Sequence, residues 1–237
     1  MKYLFLFIAF GFTSYCIGQN MTGQELLEKA IAHHDPDGHW NSFNGDFTIT
    51  SESPKGDKKI SQITINLPSS YFKLTTSSED HIIEQTVKKD ECLLMLNGNE
   101  NITDAERETH NISCKRAKKK KDFYTYLYGL PMKLRDSGTI IDPHVETKTF
   151  KGKEYLRLKV TYSNEVGKDT WYFYFDPTTY AMEVYQFFHD ESKNDGEYIV
   201  LSGVEIINGV KMPKTRAWYF NKNNQYLATD VLSKNTQ

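Results

Sequence analysis

The chain has 237 residues, with 29 Lys and Arg against 31 Asp and Glu and a formal net charge of −2. That balance gives no electrostatic case for nucleic acid, and the length suits one domain with a sizeable core. The 15 Tyr, 14 Phe and 3 Trp must mostly be housed inside the fold.

Lys2 forms a short basic region, and residues 3–12 are apolar but too short for the ~20 residues that span a bilayer. Cys16-Ile17-Gly18 puts small residues at the −3 and −1 positions of a cut before Gln19. Residues 1–18 therefore read as a signal peptide and 19–237 as a single exported domain. The periplasm is the expected compartment, ahead of secretion or an outer-membrane lipoprotein. Lipidation of Cys16 is the alternative, but Tyr15 stands where that chemistry wants a small residue. No later stretch approaches transmembrane length. Cleavage leaves Cys92 and Cys114, which read as one disulfide in an oxidising compartment and as two buried thiols otherwise.

TGQELLEKAIAHH predicts an amphipathic helix, with Thr22 and Glu25 as a capping box and Leu26, Leu27, Ala30 and Ile31 at helical spacing. Asp35-Pro36-Asp37-Gly38 stops it. The period then changes to two. GDFTITSES, ISQITINL, YFKLTTSS, DHIIEQTV and ECLLML predict five strands separated by turn chemistry, a meander with no parallel crossover. A second capping box, Thr103 and Glu106, opens a polar, basic and then aromatic insert of one or two helices that ends near Gly129 and Pro131. From about His144, ETKTF, KEYLRLKVTYS, DTWYFYFD, AMEVYQFFH, EYIVLSGVEII, VKMPKTRAWYF and QYLATDVL predict six or seven more strands joined by hairpin-length turns. In YLRLKVTY, Leu156, Leu158 and Val160 face one way and Arg157, Lys159 and Thr161 the other. WYFYF is aromatic on both faces, so its second face needs a cover, from the helices or from a ligand.

HHDPDGH, residues 33–39, invites a metal reading. Adjacent histidines on a helix point about 100° apart, the HExxH spacing is absent, and Asp35 and Asp37 lack the further acids and downstream Glu of a calcium loop. The segment reads instead as a helix end, with histidines near the negative pole of the dipole and Trp40 entering the core. KRAKKKK, residues 115–121, reads as a solvated face; an anionic membrane contact through Lys118, Lys119, Lys120 and Lys121 is the functional alternative. His189-Asp190-Glu191 reads as a polar strand end, since no nucleophile motif accompanies it. No dinucleotide or phosphate loop is present, and no cofactor or catalytic residue is assigned.

Gly129-Leu130-Pro131, Lys151-Gly152-Lys153-Glu154-Tyr155 and Asn208-Gly209-Val210-Lys211 resemble a family of uncharacterised exported proteins of Bacteroidota-type bacteria, a domain of unknown function, over residues 22–232. More distantly, Tyr174-Phe175-Asp176-Pro177 and Gly209-Val210-Lys211-Met212-Pro213 resemble LolA/LolB-type lipoprotein carriers. That second resemblance implies an N-terminal helix, an incomplete antiparallel barrel of about eleven strands, and helices plugging an apolar cavity that takes acyl chains. The element count agrees with that plan.

The expected fold is thus mainly β (α+β), a curved antiparallel sheet or incomplete LolA-like barrel with an N-terminal helix and a helical insert. The expected function is noncatalytic binding or transport of a lipid or lipoprotein acyl chain. Strand alternation nominates Trp171, Phe173, Phe175, Tyr185, Phe187 and Trp218 as cavity lining. Phe123, Tyr126, Leu127 and Leu130 of the insert would form a lid. The competing expectations are a secreted metal-dependent enzyme using His33, His34 and His39, and a module that docks on a membrane or partner.

Overall fold

The computed structural model describes residues 21–78 and 80–235. The expected signal peptide, its expected cleavage site and Cys16 lie outside them. Helix α1 (Gly23–His34) starts as its capping box dictates: Glu25 N–H donates to the Thr22 hydroxyl, and the Glu25 carboxylate accepts from Thr22 N–H. Leu26, Leu27, Ala30 and Ile31 face the core. Five strands follow, β1 (Asn44–Glu52), β2 (Lys58–Asn66), β3 (Tyr71–Ser77), β4 (Ile82–Lys88) and β5 (Glu91–Leu96). The insert is α2 (Asp104–Thr109), with the Thr103–Glu106 capping box formed, and α3 (Cys114–Tyr128). The second meander is β6 (Thr139–Phe150), β7 (Lys153–Tyr162), β8 (Thr170–Phe175), β9 (Met182–Phe188), β10 (Glu197–Ile207), β11 (Val210–Phe220) and β12 (Tyr226–Lys234).

All twelve strands form one antiparallel sheet, in the order β5-β4-β3-β2-β1-β12-β11-β10-β9-β8-β7-β6. Each meander pairs neighbours in sequence, and β1 with β12 joins the two halves. Hairpins such as β6–β7 and β10–β11 turn on Lys151-Gly152 and Asn208-Gly209, all four residues at positive φ. That backbone matches the strand twist, and glycine adopts it without a Cβ penalty. The expected eleven or so strands are twelve, and β6 begins at Thr139 rather than near His144. Pro143 interrupts the strand pattern there, but β6 is an edge strand that pairs with β7 and, among the described residues, with other backbone only through a single bridge from His144 to Thr22, with a register shift between Ile141 and Val145. Proline is tolerated at such a bulge because no ladder N–H is needed.

The sheet curves around its principal core. That core combines α1, the Leu127–Leu134 segment and inward residues of most strands, among them Phe47, Phe72, Leu158, Val160, Phe173, Phe175 and Ile199. A satellite core of Ile83, Val87, Leu94, Leu96, Ile102, Ile112 and Ala117 seats the start of α3 on β4 and β5. On the other face Tyr155, Tyr172, Tyr174 and Val184 are buried together. The cover for that second aromatic face comes from side chains of the sheet itself. It is Phe150 and Phe188, with the Arg157 guanidinium 4.4 Å above the Tyr172 ring. Long cationic stems cover apolar surface while their heads stay in water.

Candidate ligand-binding face and its mouth

Helix α3 lies across the concave face. Ser113 caps it, accepting from Arg116 N–H at 3.3 Å. Cys114, its first residue, is disulfide-bonded to Cys92 of β5, with the Cα atoms 5.8 Å apart. Ala117, Tyr124, Leu127 and Tyr128 recur at helical spacing and turn inward. Tyr124 stacks over Phe72 at 6.3 Å, and Tyr128 tilts over Phe47 at 5.0 Å. Burial raises both phenols above their ordinary pKa. Gly129 ends the helix against Trp40, where a Cβ would lie 2.2 Å from Cζ2.

The structure brings all six nominated lining residues to the concave face. Trp171 stacks on Phe187 at 4.9 Å and on Phe173 at 6.0 Å. Tyr185 meets Phe173 at 6.4 Å and Trp218 at 6.4 Å. Phe173, Phe175 and Tyr185 are fully buried, whereas Trp171, Phe187 and Trp218 are half-buried. The four nominated lid residues divide. Leu127 and Leu130 are core, Tyr126 is half-buried, and Phe123 is 48% exposed.

Tyr126 couples the helix to this face. Its ring meets Trp171 edge-on at 5.7 Å, and its hydroxyl hydrogen-bonds that of Tyr162. Burial, then the neighbouring Tyr162, pushes the Tyr126 phenol well up, and burial takes Tyr162 to about 12. Outside this contact a groove of about 580 Å³ opens between α3 and the β7–β8 loop. Phe123, Tyr126, Tyr162, Val166 and Trp171 give it apolar walls, and its charged residues are Lys121, Lys133, Asp122, Asp136 and Asp169, with Lys133 paired to Asp136. Trp171 belongs to both groove and concave stack, so aromatic surface continues from the mouth to the core.

Arg216 was not anticipated. It is 1% exposed on β11, with its guanidinium 4.0 Å above the Tyr128 ring. Nη1 donates to Pro213 O at 2.9 Å and Nη2 to Leu127 O at 3.4 Å, near the end of α3. Its Nε and the Tyr185 hydroxyl, both buried, have no hydrogen-bond partner among the described residues. Burial raises Tyr185 to about 12, although the Arg216 charge pulls it down. The available signal was alternation: Arg216 lies two residues before Trp218 and so shares its face.

The histidine segment ends α1 and sends Trp40 into the core, as expected, but its histidines do not act as charges at the helix end. His34 is buried, its Nδ1 2.8 Å from Lys211 O, and Met182 N–H donates to its Nε2 at 2.9 Å. One nitrogen thus donates and the other accepts, which defines a neutral imidazole bridging β11 and β9. Burial lowers its pKa to about 4, so it adds no positive charge at the helix end, and neither nitrogen keeps a lone pair for a metal. His33 is half-buried, its pKa lowered by burial and then by Lys211. His39 is exposed and packs beside Gly209. Asp35 accepts from His39 N–H at 2.7 Å and Trp40 N–H at 2.9 Å. Among the described residues no group of three His, Cys, Asp or Glu side chains is placed to hold a metal ion. His189 lies elsewhere, its Nδ1 2.8 Å from Asp169 Oδ1, which raises its pKa.

The sequence matches one family over residues 2–235. The chain belongs to DUF6503, a family of unknown function. No curated protein matches it. Among solved structures it resembles a LolA superfamily protein from Nitrosomonas europaea, at TM-score 0.50 and 11% identity over 92% of this chain and 94% of that one. It also resembles a putative outer membrane lipoprotein-sorting protein domain from Vibrio parahaemolyticus, at TM-score 0.50 and 10% identity over 90% and 92%. This DUF6503 chain therefore has a LolA-like fold, as its curved open sheet, N-terminal helix and helical insert suggested.

Proposed function

We propose that this protein is an exported, noncatalytic carrier that binds the acyl chain of a lipid or lipoprotein in the periplasm. The mature chain from Gln19 onward would form the single carrier domain. The observation that carries this reading is the aromatic surface that runs unbroken from the mouth through Trp171 to Phe173, Phe187 and Tyr185. The lipoprotein-sorting description of the Vibrio fold neighbour points the same way. No helix among the described residues is long and apolar enough to cross a membrane.

Burial of an acyl chain on such a surface yields ~0.8 kcal/mol per methylene. Side chains of α3 already fill the space beneath it, so the ligand enters by displacing Tyr126 and Leu127. The segment Phe123–Leu130 acts as the lid. Phe173 and Phe175 are too buried to replace without disturbing the core, so the test falls on Trp171 and Phe187. Parinaric acid, a fluorescent polyene fatty acid, is titrated into the purified protein and energy transfer from tryptophan is followed. Trp171→Phe removes the donor nearest the groove and so lowers the transfer while binding, followed by the ligand's own fluorescence, persists, whereas Phe187→Asp weakens binding about tenfold with the far-ultraviolet spectrum unchanged. A folded Phe187→Asp protein that binds as the wild type does, or a wild type that binds none, refutes the reading.

A further inference from the structure

The charge of this chain is unevenly placed. Helix α3 carries Lys115, Arg116, Lys118, Lys119, Lys120 and Lys121 against the single acid Asp122, while the whole chain is at −2. Some lysines elsewhere are matched to carboxylates, as in Lys73–Glu84, Lys153–Asp176 and Lys214–Glu205, and the unmatched ones do not gather six to a single helix. None of the six α3 cations forms a salt bridge among the described residues. The excess continues onto the sheet. Lys120 is held below the ordinary lysine range by burial and then by Lys59 of β2 and Arg116.

The arrangement on the helix is directional. Lys115, Lys119 and Phe123 follow one another at four-residue spacing and so form one ridge along α3, flanked by Arg116 and Lys118, all five exposed. The ridge ends at Phe123, which is 48% exposed and forms a wall of the groove. Across the groove stands Val166, 57% exposed. Unmatched cations leading to exposed apolar side chains at an apolar groove suit a surface that is anionic outside and hydrocarbon just beneath. An acidic protein would match the cations but not the apolar rim.

We infer that the α3 ridge docks this protein on an anionic membrane surface, with Lys115, Arg116, Lys118 and Lys119 at the headgroups and Phe123 inserted, so that the mouth faces the bilayer. Docking brings the acyl chain proposed above to the groove. It rests on that reading for its purpose but not for its chemistry.

The test is co-sedimentation of the full mature chain with vesicles of mixed phosphatidylglycerol and phosphatidylcholine, and of phosphatidylcholine alone. The wild type sediments with the mixed vesicles only, and added salt releases it. Each of Lys115→Gln, Lys118→Gln and Lys119→Gln lowers partitioning about fivefold, and the triple variant about 100-fold. Phe123→Ser lowers it about tenfold. These side chains are exposed, so the variants fold, and each is confirmed by an unchanged melting temperature. Equal binding to both vesicle types, or a triple variant that partitions like the wild type, overturns the inference. So does a wild type that ignores vesicles but is retained on immobilised polyglutamate, which would identify an acidic protein partner. Parinaric acid binding is read in parallel. A wild type that sediments yet takes up no parinaric acid refutes the acyl-binding reading and leaves docking standing. A triple variant that keeps parinaric acid but loses vesicles supports docking by itself.

Discussion

His34 makes this protein acid-sensitive in a defined window. Its imidazole is neutral in the folded state, donating to Lys211 O and accepting from Met182 N–H, and its pKa is about 4 against an ordinary value of 6.5. A histidine with a depressed folded pKa takes up its proton preferentially when unfolded. Its contribution is therefore fully present above about pH 6.5 and is lost as pH falls toward 4. Within that window each pH unit removes about 1.4 kcal/mol, about 3 kcal/mol in all. The assay is urea unfolding of the wild type and of His34→Gln at steps from about pH 7.5 to about 4.5. The variant is less stable at neutral pH, by about 1–3 kcal/mol for hydrogen bonds lost or misaligned, and its stability falls less steeply with acid. Carboxylates such as Asp176 and Asp190, whose pKa values are depressed mainly by side-chain hydrogen bonds, destabilise both proteins alike at low pH and cancel in the difference. Parallel curves for the two proteins would refute the bridging role.

Three further outcomes follow from the way α3 is held. Reducing Cys92–Cys114, which are 22 residues apart, costs about 3 kcal/mol by loop entropy; urea melts with and without reductant measure it, and hydrogen exchange localises the loosening to α2 and the start of α3. Arg216→Leu gives up two hydrogen bonds and a ring contact but also removes a poorly compensated buried charge, so net stability falls by only about 1–2 kcal/mol, while stopped-flow release of parinaric acid speeds up because Leu127 O loses its anchor. Gly129→Ala drives a methyl into the buried Trp40 ring, for a loss of about 1–3 kcal/mol in chemical denaturation together with a shifted tryptophan emission.

What could be read from the sequence was local. The capping boxes at Thr22 and Thr103, the alternation in YLRLKVTY and the Asn208-Gly209 turn each depend on residues within a few positions of one another. The helices and most strands accordingly stand where the pattern places them. The six residues nominated as lining reached one face for the same reason, because alternation assigns faces without knowledge of the partner strand. Pairings that span the chain leave no such trace. Nothing periodic announces that β1 pairs with β12, or that a groove forms between Phe123 and Val166. His34 shows the same limit in chemical form: in sequence it is a histidine at a helix end, and only packing against Met182 and Lys211 makes it a neutral bridge. Arg216 fails differently. Its face was readable from Trp218, but a buried arginine runs against the prior that charged side chains stay in water.

The position of the insert explains why the moving part should be α3 rather than a strand. The segment between β5 and β6 joins the two open edges of the sheet, so in returning from one edge to the other it must cross the concave opening. Each strand is tied to its neighbours by ladder hydrogen bonds, and opening one exposes a row of backbone donors and acceptors at once. Helix α3 keeps its backbone bonds internal and meets the sheet through side chains. Besides the apolar packing of Ala117, Tyr124, Leu127 and Tyr128, its ties to the sheet are the disulfide at Cys114, the Tyr126–Tyr162 contact and Arg216 at Leu127 O. The disulfide is permanent under oxidising conditions, whereas the other two are hydrogen bonds worth about 1–3 kcal/mol each. A hinge at Cys114 with release at Tyr126 and Leu127 would uncover Trp171 and the face behind it while leaving the ladder intact. Withdrawing Leu127 from the core adds about 1.5–3 kcal/mol to those two bonds, so under the proposed mechanism the ligand must bury on the order of ten methylenes to offset the opening.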